Sequence, residues 1–346
     1  MDIEVLEQRA AAIVAHGKGI LAADESNGSA NKRLASVNLP EDEDTRRRYR
    51  QLLISTPALA SAVNGIILYD ETFNQSNDQG QSFPQYLTQH KIMPGIKVDL
   101  GLVDLPGFDG EQVTQGLDGL PEHIEAYAKA GAPFAKWRSV IKIGEGIPTD
   151  EAIGANTFVL ARYARICQEY NVVPFIEPEI LFEGEHTIEQ CEQVMAHVYD
   201  ILFQTLRAFR VHLPGAILKS SMVLPGKQSG NEIDADDVAE RTVRVLHEHV
   251  PHELGGVVFL SGGQTPEQAF RNLNRIAQRG PHPWGVTFSF SRALQDPVLK
   301  HWAQTSNISE SQEIFTNQLQ QAVQATKGTL DESSLTTDTF VTEGQN

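Results

Sequence analysis

Three lysines in this chain, Lys97, Lys136 and Lys219, each close a short apolar run, and Asp24, Glu71 and Glu177 close three others. Lysines set among carboxylates are the equipment of amine catalysis, in which a neutral ε-amine adds to a carbonyl carbon and a nearby acid moves the protons. A free lysine with a pKa of ~10.4 is neutral about once in 2500 molecules at pH 7. An apolar strand and a neighbouring cation that lower it to about 8 bring the neutral fraction near one in ten, for ~3 kcal/mol of differential interaction. Lys219, which follows Ala216-Ile217-Leu218, is the best placed to be that amine. Lys136 is the neighbouring cation, and Glu177 the proton carrier, its own pKa raised if Glu179 lies close. Two segments point to phosphate. Ser261-Gly262-Gly263 offers backbone N–H groups unobstructed by side chains, and Arg292 supplies a guanidinium further on. Near the start, Asp24-Glu25-Ser26-Asn27-Gly28-Ser29 gives a carboxylate and two hydroxyls, followed by Lys32 and Arg33, which can face a second anion.

The elements that must position these groups are eight short apolar runs. They are Gly19 to Ala23, Ile66 to Tyr69, Pro94 to Ile96, Pro133 to Ala135, Val172 to Ile176, Ala216 to Leu218, Val257 to Leu260 and Val286 to Phe288. In order they end at Asp24, Glu71, Lys97, Lys136, Glu177, Lys219, Ser261 and Ser289. Short, continuously apolar runs are how parallel strands buried on both faces read, and ends roughly 25 to 50 residues apart leave room for a crossover helix each time. Helical patterns fill the gaps over Ala152 to Tyr170, Ile188 to Phe209 and Asp236 to His249, with another starting at Thr265-Pro266-Glu267-Gln268. The fold class is therefore α/β, a (β/α)8 TIM barrel, in which strand C-termini converge on one mouth. A charged residue past a strand is commonly a solvated loop residue. That reading weakens when acids and bases end six of the eight runs. Period-two alternation sets Lys136 and Arg138 on one face with Trp137 on the other, and Glu177 and Glu179 straddle Pro178 in the same way.

Residues 1 to 326 read as a single barrel domain, with Pro40 to Leu53 a charged helical elaboration and Asn74 to Gln85 an exposed excursion. From Lys327 to Asn346 the chain turns polar and aperiodic, which predicts a mobile tail. The formal charge of −17 argues against nucleic acid as a partner, and a basic mouth in an acidic body suits a small anionic substrate. No run approaches the ~18 to 20 apolar residues of a membrane span. An acidic start without a signal-peptide pattern, and only Cys167 and Cys191, point to a cytoplasmic setting. His247, His249 and His252 have a spacing similar to that of metal ligands, but they end a helix far from any strand end and are set aside.

The chain resembles the class I (Schiff-base) fructose-bisphosphate aldolases. The matching strings are Lys18-Gly-Ile-Leu-Ala-Ala-Asp-Glu-Ser26, Gly95-Ile-Lys-Val-Asp99, Thr114-Gln-Gly-Leu-Asp-Gly-Leu120, Phe134-Ala-Lys-Trp-Arg138, Lys142-Ile-Gly-Glu145, Glu177-Pro-Glu-Ile-Leu181, Phe259-Leu-Ser-Gly-Gly-Gln264, Asn272-Leu-Asn274 and Arg292-Ala-Leu-Gln295. They run in family order from the N-terminus to about residue 300. The resemblance implies reversible cleavage of fructose 1,6-bisphosphate to dihydroxyacetone phosphate and glyceraldehyde 3-phosphate, a step of glycolysis and gluconeogenesis, with no metal or other cofactor. It implies an imine on Lys219, Glu177 as the acid for dehydration, and Asp24 at the hydroxyl whose proton leaves on cleavage. Lys136 and Arg138 would line the sugar site, with Glu179 supporting the lysines. Ser261, Gly262 and Arg292, with Ser289 beside them, would hold one phosphate, and Ser26, Ser29, Arg33 and Lys97 the other. A homotetramer is also implied.

The chain departs from the family pattern in three places. Ser220-Ser221 stands where the family usually has Pro-Asn after the lysine, and Phe290-Ser291 where it has Tyr-Gly before the arginine. The animal and plant enzymes end in a tyrosine that assists enamine protonation, whereas this chain ends Glu343-Gly-Gln-Asn346, so that role is not carried over. The competing readings are an imine enzyme for a ketose monophosphate or a longer bisphosphate, a barrel kept only for binding or assembly, and a metal-dependent aldolase. Lys219 and Glu177 speak against the second, and the lack of strand-end histidines against the third.

Overall fold

The computed structural model describes residues 1–335. Its barrel strands are β1 (Gly19–Ala23), β2 (Val63–Leu68), β3 (Met93–Lys97), β4 (Phe134–Ile141), β5 (Val173–Ile180), β6 (Ile217–Ser220), β7 (Gly256–Phe259) and β8 (Val286–Phe290). Each pairs in parallel with its sequence neighbours, and β8 closes on β1. Parallel neighbours need long crossovers, and the helices supply them. In chain order they include α1 (Ile3–Ile13), α2 (Asn27–Ala35), α3 (Glu43–Ile54), α4 (Phe83–Gln89), α5 (Leu120–Lys129), α6 (Asp150–Glu169), α7 (Ile188–Ala208), α8 (Ala235–His249), α9 (Pro266–Gln278), α10 (Arg292–Thr305) and α11 (Ile308–Thr326). This is the (β/α)8 TIM barrel that the strand endings predict.

Inside the barrel, Ile20, Ala22, Ile67, Phe134, Phe175, Ile217 and Val258 form one apolar plug, joined by Leu6, Ala10 and Ile13 of α1. Phe134 and Phe175 stack with centroids 4.7 Å apart. Room for Phe134 comes from Gly95 on β3, where a Cβ would lie 2.1 Å from the ring. The plug closes one end of the barrel, so charged side chains of the same strands gather at the other. Both α7 and α9 begin with full capping boxes, Thr187 with Gln190 and Thr265 with Gln268.

Three sequence expectations shift, and one element was not foreseen. The fourth and fifth strands run to Ile141 and Ile180, so Lys136, Arg138, Glu177 and Glu179 stand within strands and not past their ends. The ladder continues because the inward charges meet each other, with Arg138 in register with Glu177. The excursion from Asn74 ends earlier than expected: Ser82 caps α4, and Phe83 and Pro84 are buried. A short antiparallel pair, Leu102–Asp104 with Gln112–Thr114, follows β3. The tail expected from Lys327 does not begin there, because Leu330 and Leu335 are buried and Glu332 pairs with Arg271 and Arg275 of α9. Residues 336–346 lie outside the described residues.

Candidate active site

At the C-terminal ends of the strands lies a cavity of about 1100 Å³, lined by Asp24, Ser26, Ser29, Arg33, Lys97, Lys136, Arg138, Glu177, Glu179, Lys219, Ser261, Gly262, Ser289 and Arg292, the residues to which the family resemblance gives a role. At its floor, Glu177 on β5 stands between two lysines. Its Oε1 is 3.0 Å from Lys219 Nζ on β6, and its Oε2 is 2.8 Å from Lys136 Nζ on β4. Lys136 Nζ also donates to Asp24 Oδ2 at 2.9 Å, just past β1. All four residues are buried. Burial alone would raise the Asp24 pKa, but Lys136, Lys219 and Lys97 outweigh it and hold the carboxyl at about 2. Burial opposes the charge on Lys136, yet Asp24 and Glu177 drive its pKa upward. The floor thus carries a fixed ammonium, a fixed carboxylate, and Lys219 held against a second carboxylate.

Glu179, two residues on from Glu177, accepts from Arg138 Nε. Burial works against its charge, while Arg138 first, then Lys219 and Lys136, keep its pKa below the usual range. Trp137 points the other way, packed at 5.4 Å against Tyr163 of α6. Lys97 Nζ bonds the Asp99 carboxylate at 2.7 Å and lies 5.9 Å from the centre of the Tyr69 ring. On the β7 side, Gly262 and Gly263 both adopt positive φ, 57° and 89°, which a residue with a side chain rarely does. Arg292 starts α10, and its guanidinium lies against Gly263. Ser261 and Ser289 are buried, and the Ser289 hydroxyl has no hydrogen-bond partner among the described residues.

Across the mouth, Ser26 caps α2, accepting from Ser29 N at 3.3 Å. Arg33 pairs with Glu25 and, at 2.8 Å, with Asp296. Lys32 also lines the cavity. Glu71 does not, since it takes Arg46 through both oxygens at 2.7 and 2.6 Å and Asn27 at 2.9 Å. The substituted serines after Lys219 turn away from the cavity: Ser220 Oγ meets Tyr199 OH at 2.6 Å, and Ser221 Oγ accepts from Ile180 N at 3.0 Å. In the histidine group, His247 pairs with His282 at 3.1 Å and His249 with Asp200 at 2.8 Å.

Several lining residues escaped sequence reasoning. Asp99 had a usable signal, because the Lys97-Val98-Asp99 spacing puts both charges on one face. Glu25 was overshadowed by Asp24. Ser291 stood out only as a departure from the family pattern, and nothing in the sequence distinguished Tyr69, His123 or Tyr127, which reach the cavity through tertiary packing.

A closed parallel barrel with a buried lysine–carboxylate–lysine array at its mouth, flanked by a glycine turn and guanidinium groups, defines an amine-equipped barrel for an anionic substrate. The chain matches the model of the family "Fructose-bisphosphate aldolase class-I" over residues 5–343. It is 48% identical over 317 residues to a "Probable fructose-bisphosphate aldolase class 1" of Xanthomonas axonopodis pv. citri, covering 91% of this chain and 95% of the relative. It is 46% identical over 321 residues to "Fructose-bisphosphate aldolase 4, cytosolic" of Arabidopsis thaliana, covering 92% and 82%. A solved structure of fructose-bisphosphate aldolase from Plasmodium falciparum, in complex with TRAP and a small-molecule inhibitor, superposes with a TM-score of 0.93 at 45% identity, covering 95% of each chain. The chain belongs to the class I fructose-bisphosphate aldolase family.

Proposed function

We infer that this protein is a metal-independent carbon–carbon lyase, a class I fructose-bisphosphate aldolase. It cleaves fructose 1,6-bisphosphate reversibly to dihydroxyacetone phosphate and glyceraldehyde 3-phosphate through an imine on Lys219. The observation that carries the residue roles is the bridge from Lys219 through Glu177 to Lys136 and Asp24.

In that reading the Lys219 amine adds to the keto carbon, giving a carbinolamine. Glu177, within reach of the same nitrogen, delivers the proton with which hydroxide leaves as water. The resulting iminium draws in the electron pair of the bond between C3 and C4. Asp24, a carboxylate at neutral pH, takes the C4 hydroxyl proton as that bond breaks, so glyceraldehyde 3-phosphate leaves and an enamine remains. Protonation of the enamine carbon and addition of water then release dihydroxyacetone phosphate and free the amine. Lys136 stays cationic and offsets the negative charge of Asp24 and Glu177. Arg138, placed by Glu179, lines the sugar site. Ser261, Gly262, Ser289 and Arg292 hold one phosphate; Ser26, Ser29, Arg33 and Lys97 hold the other.

No helix among the described residues is long and apolar enough to cross a membrane. The cytosolic name of the Arabidopsis relative supports a cytoplasmic setting, and the family resemblance a homotetramer. Cleavage should proceed unchanged with a chelator present, and Glu177→Gln should lower kcat by ~10²- to 10⁴-fold, the scale of a lost general acid. Steady-state assay of the triose phosphates checks both, and chelator-sensitive turnover or a fully active Gln variant would overturn the reading.

A further inference from the structure

Ser291 occupies the N-cap position of α10, yet its hydroxyl makes no capping bond to the helix backbone. Instead it donates across the mouth to Glu25 Oε1 at 2.9 Å and accepts from Gln295 Nε2 at 3.1 Å. Glu25 Oε1 also takes Arg33 Nη1, and Arg33 Nη1 returns to Gln295 Oε1 at 3.2 Å. Ser291, Glu25, Arg33 and Gln295 thereby form a closed ring of hydrogen bonds. Gln295 Nε2 ties the ring to the backbone of β1 by donating to Ala22 O at 2.7 Å. Arg50 holds the second Glu25 oxygen at 2.6 Å, so the acceptor itself is fixed.

The ring joins the two sides of the cavity that differ in chain origin. Arg33 comes from α2, and Arg292, the residue after Ser291, from the start of α10 beyond β8. A glycine at position 291, as in the family pattern, has no hydroxyl to close the ring and a freer backbone just before Arg292. A substrate with an anionic group at each end must satisfy both grips at once. Its second contact is intramolecular, and its strength depends on whether the spacing between the grips is set in advance.

We propose that Ser291 is a positioning residue that fixes the separation of the two phosphate grips through Glu25 and so favours ketose bisphosphates over monophosphates. The proposal rests on the reading of the site given above. It acts on the binding of the second phosphate and not on the bond-breaking step.

The test compares fructose 1,6-bisphosphate with fructose 1-phosphate on the full-length wild-type protein and on Ser291→Gly, Ser291→Ala and Ser291→Thr. Removing the hydroxyl should raise KM for the bisphosphate about tenfold, the scale of one hydrogen bond to a charged group, with kcat nearly unchanged. The monophosphate values should move less than about twofold. Ser291→Thr, which keeps the hydroxyl, should retain the wild-type preference. Because both substrates are assayed on one preparation, the ratio of their kcat/KM values is independent of how much protein is folded. An unchanged ratio in the Gly and Ala variants, or equal losses on both substrates, would overturn the proposal. A wild-type protein that fails to cleave the bisphosphate overturns the reading of the site itself, before any variant is compared.

Discussion

Asp24 carries the largest electrostatic commitment among the acids of the floor. Its carboxyl titrates near 3.8 in an unfolded chain and at about 2 in the folded protein. Between those values the unfolded chain binds a proton that the folded protein excludes, so stability falls as the pH drops through this window. The contribution is fully present above about pH 4 and is on the order of 2 kcal/mol. Urea unfolding at a series of pH values should show Asp24→Asn losing less stability between pH 4 and pH 2 than the wild type. Parallel slopes for the two proteins would remove Asp24 as the source. The same residue-level logic explains Lys136, whose two carboxylate partners outweigh the cost of burying an ammonium. Replacing it with an apolar residue leaves two buried anions facing each other.

The eight strand positions were legible because doubly buried parallel strands are short apolar runs, and the crossover helices because their apolar residues recur at helical spacing and one start, at Thr265, carries a cap. Strand ends were misplaced wherever inward charge continues a strand. Lys136 and Glu177 read as termini because a charge normally ends an apolar run, yet paired charges let β4 and β5 extend through Arg138 and Glu179. The first residues of the apparent tail were likewise misread, since two isolated leucines and Glu332 have no periodicity to reveal that they dock on α9. The chemistry-bearing residues were legible as types at fixed places in the order. The ring through Ser291 was not, because it joins positions more than 260 residues apart. At this scale the glycine of β3 gives a further prediction. Gly95→Ala puts a methyl 2.1 Å from the Phe134 ring, which should cost about 2 to 3 kcal/mol as an overpacked core. Phe134→Leu should destabilise the wild type but be neutral or stabilising in the Gly95→Ala background, measured by denaturant unfolding as a double-mutant cycle. Additive losses would mean that β3 shifts away from the ring.

The whole molecule sets a local basic field within an acidic body of formal charge −17. The plug beneath the floor closes the barrel at one end, so the cavity opens only where Lys97, Lys136, Lys219, Arg33 and Arg292 converge. A sugar bisphosphate is drawn by that nearby field, because charges farther away than about 10 Å are largely screened at physiological salt. All of this serves one nitrogen. On this reading Lys219, and none of the other lysines lining the cavity, forms the covalent bond to the substrate. Borohydride reduction in the presence of fructose 1,6-bisphosphate or dihydroxyacetone phosphate, followed by peptide mass mapping, tests it directly. Reduction should leave a single stable adduct on Lys219, with activity lost in proportion to labelling. An adduct on Lys136 or Lys97 instead, or an unmodified Lys219 in a fully active protein, would contradict it.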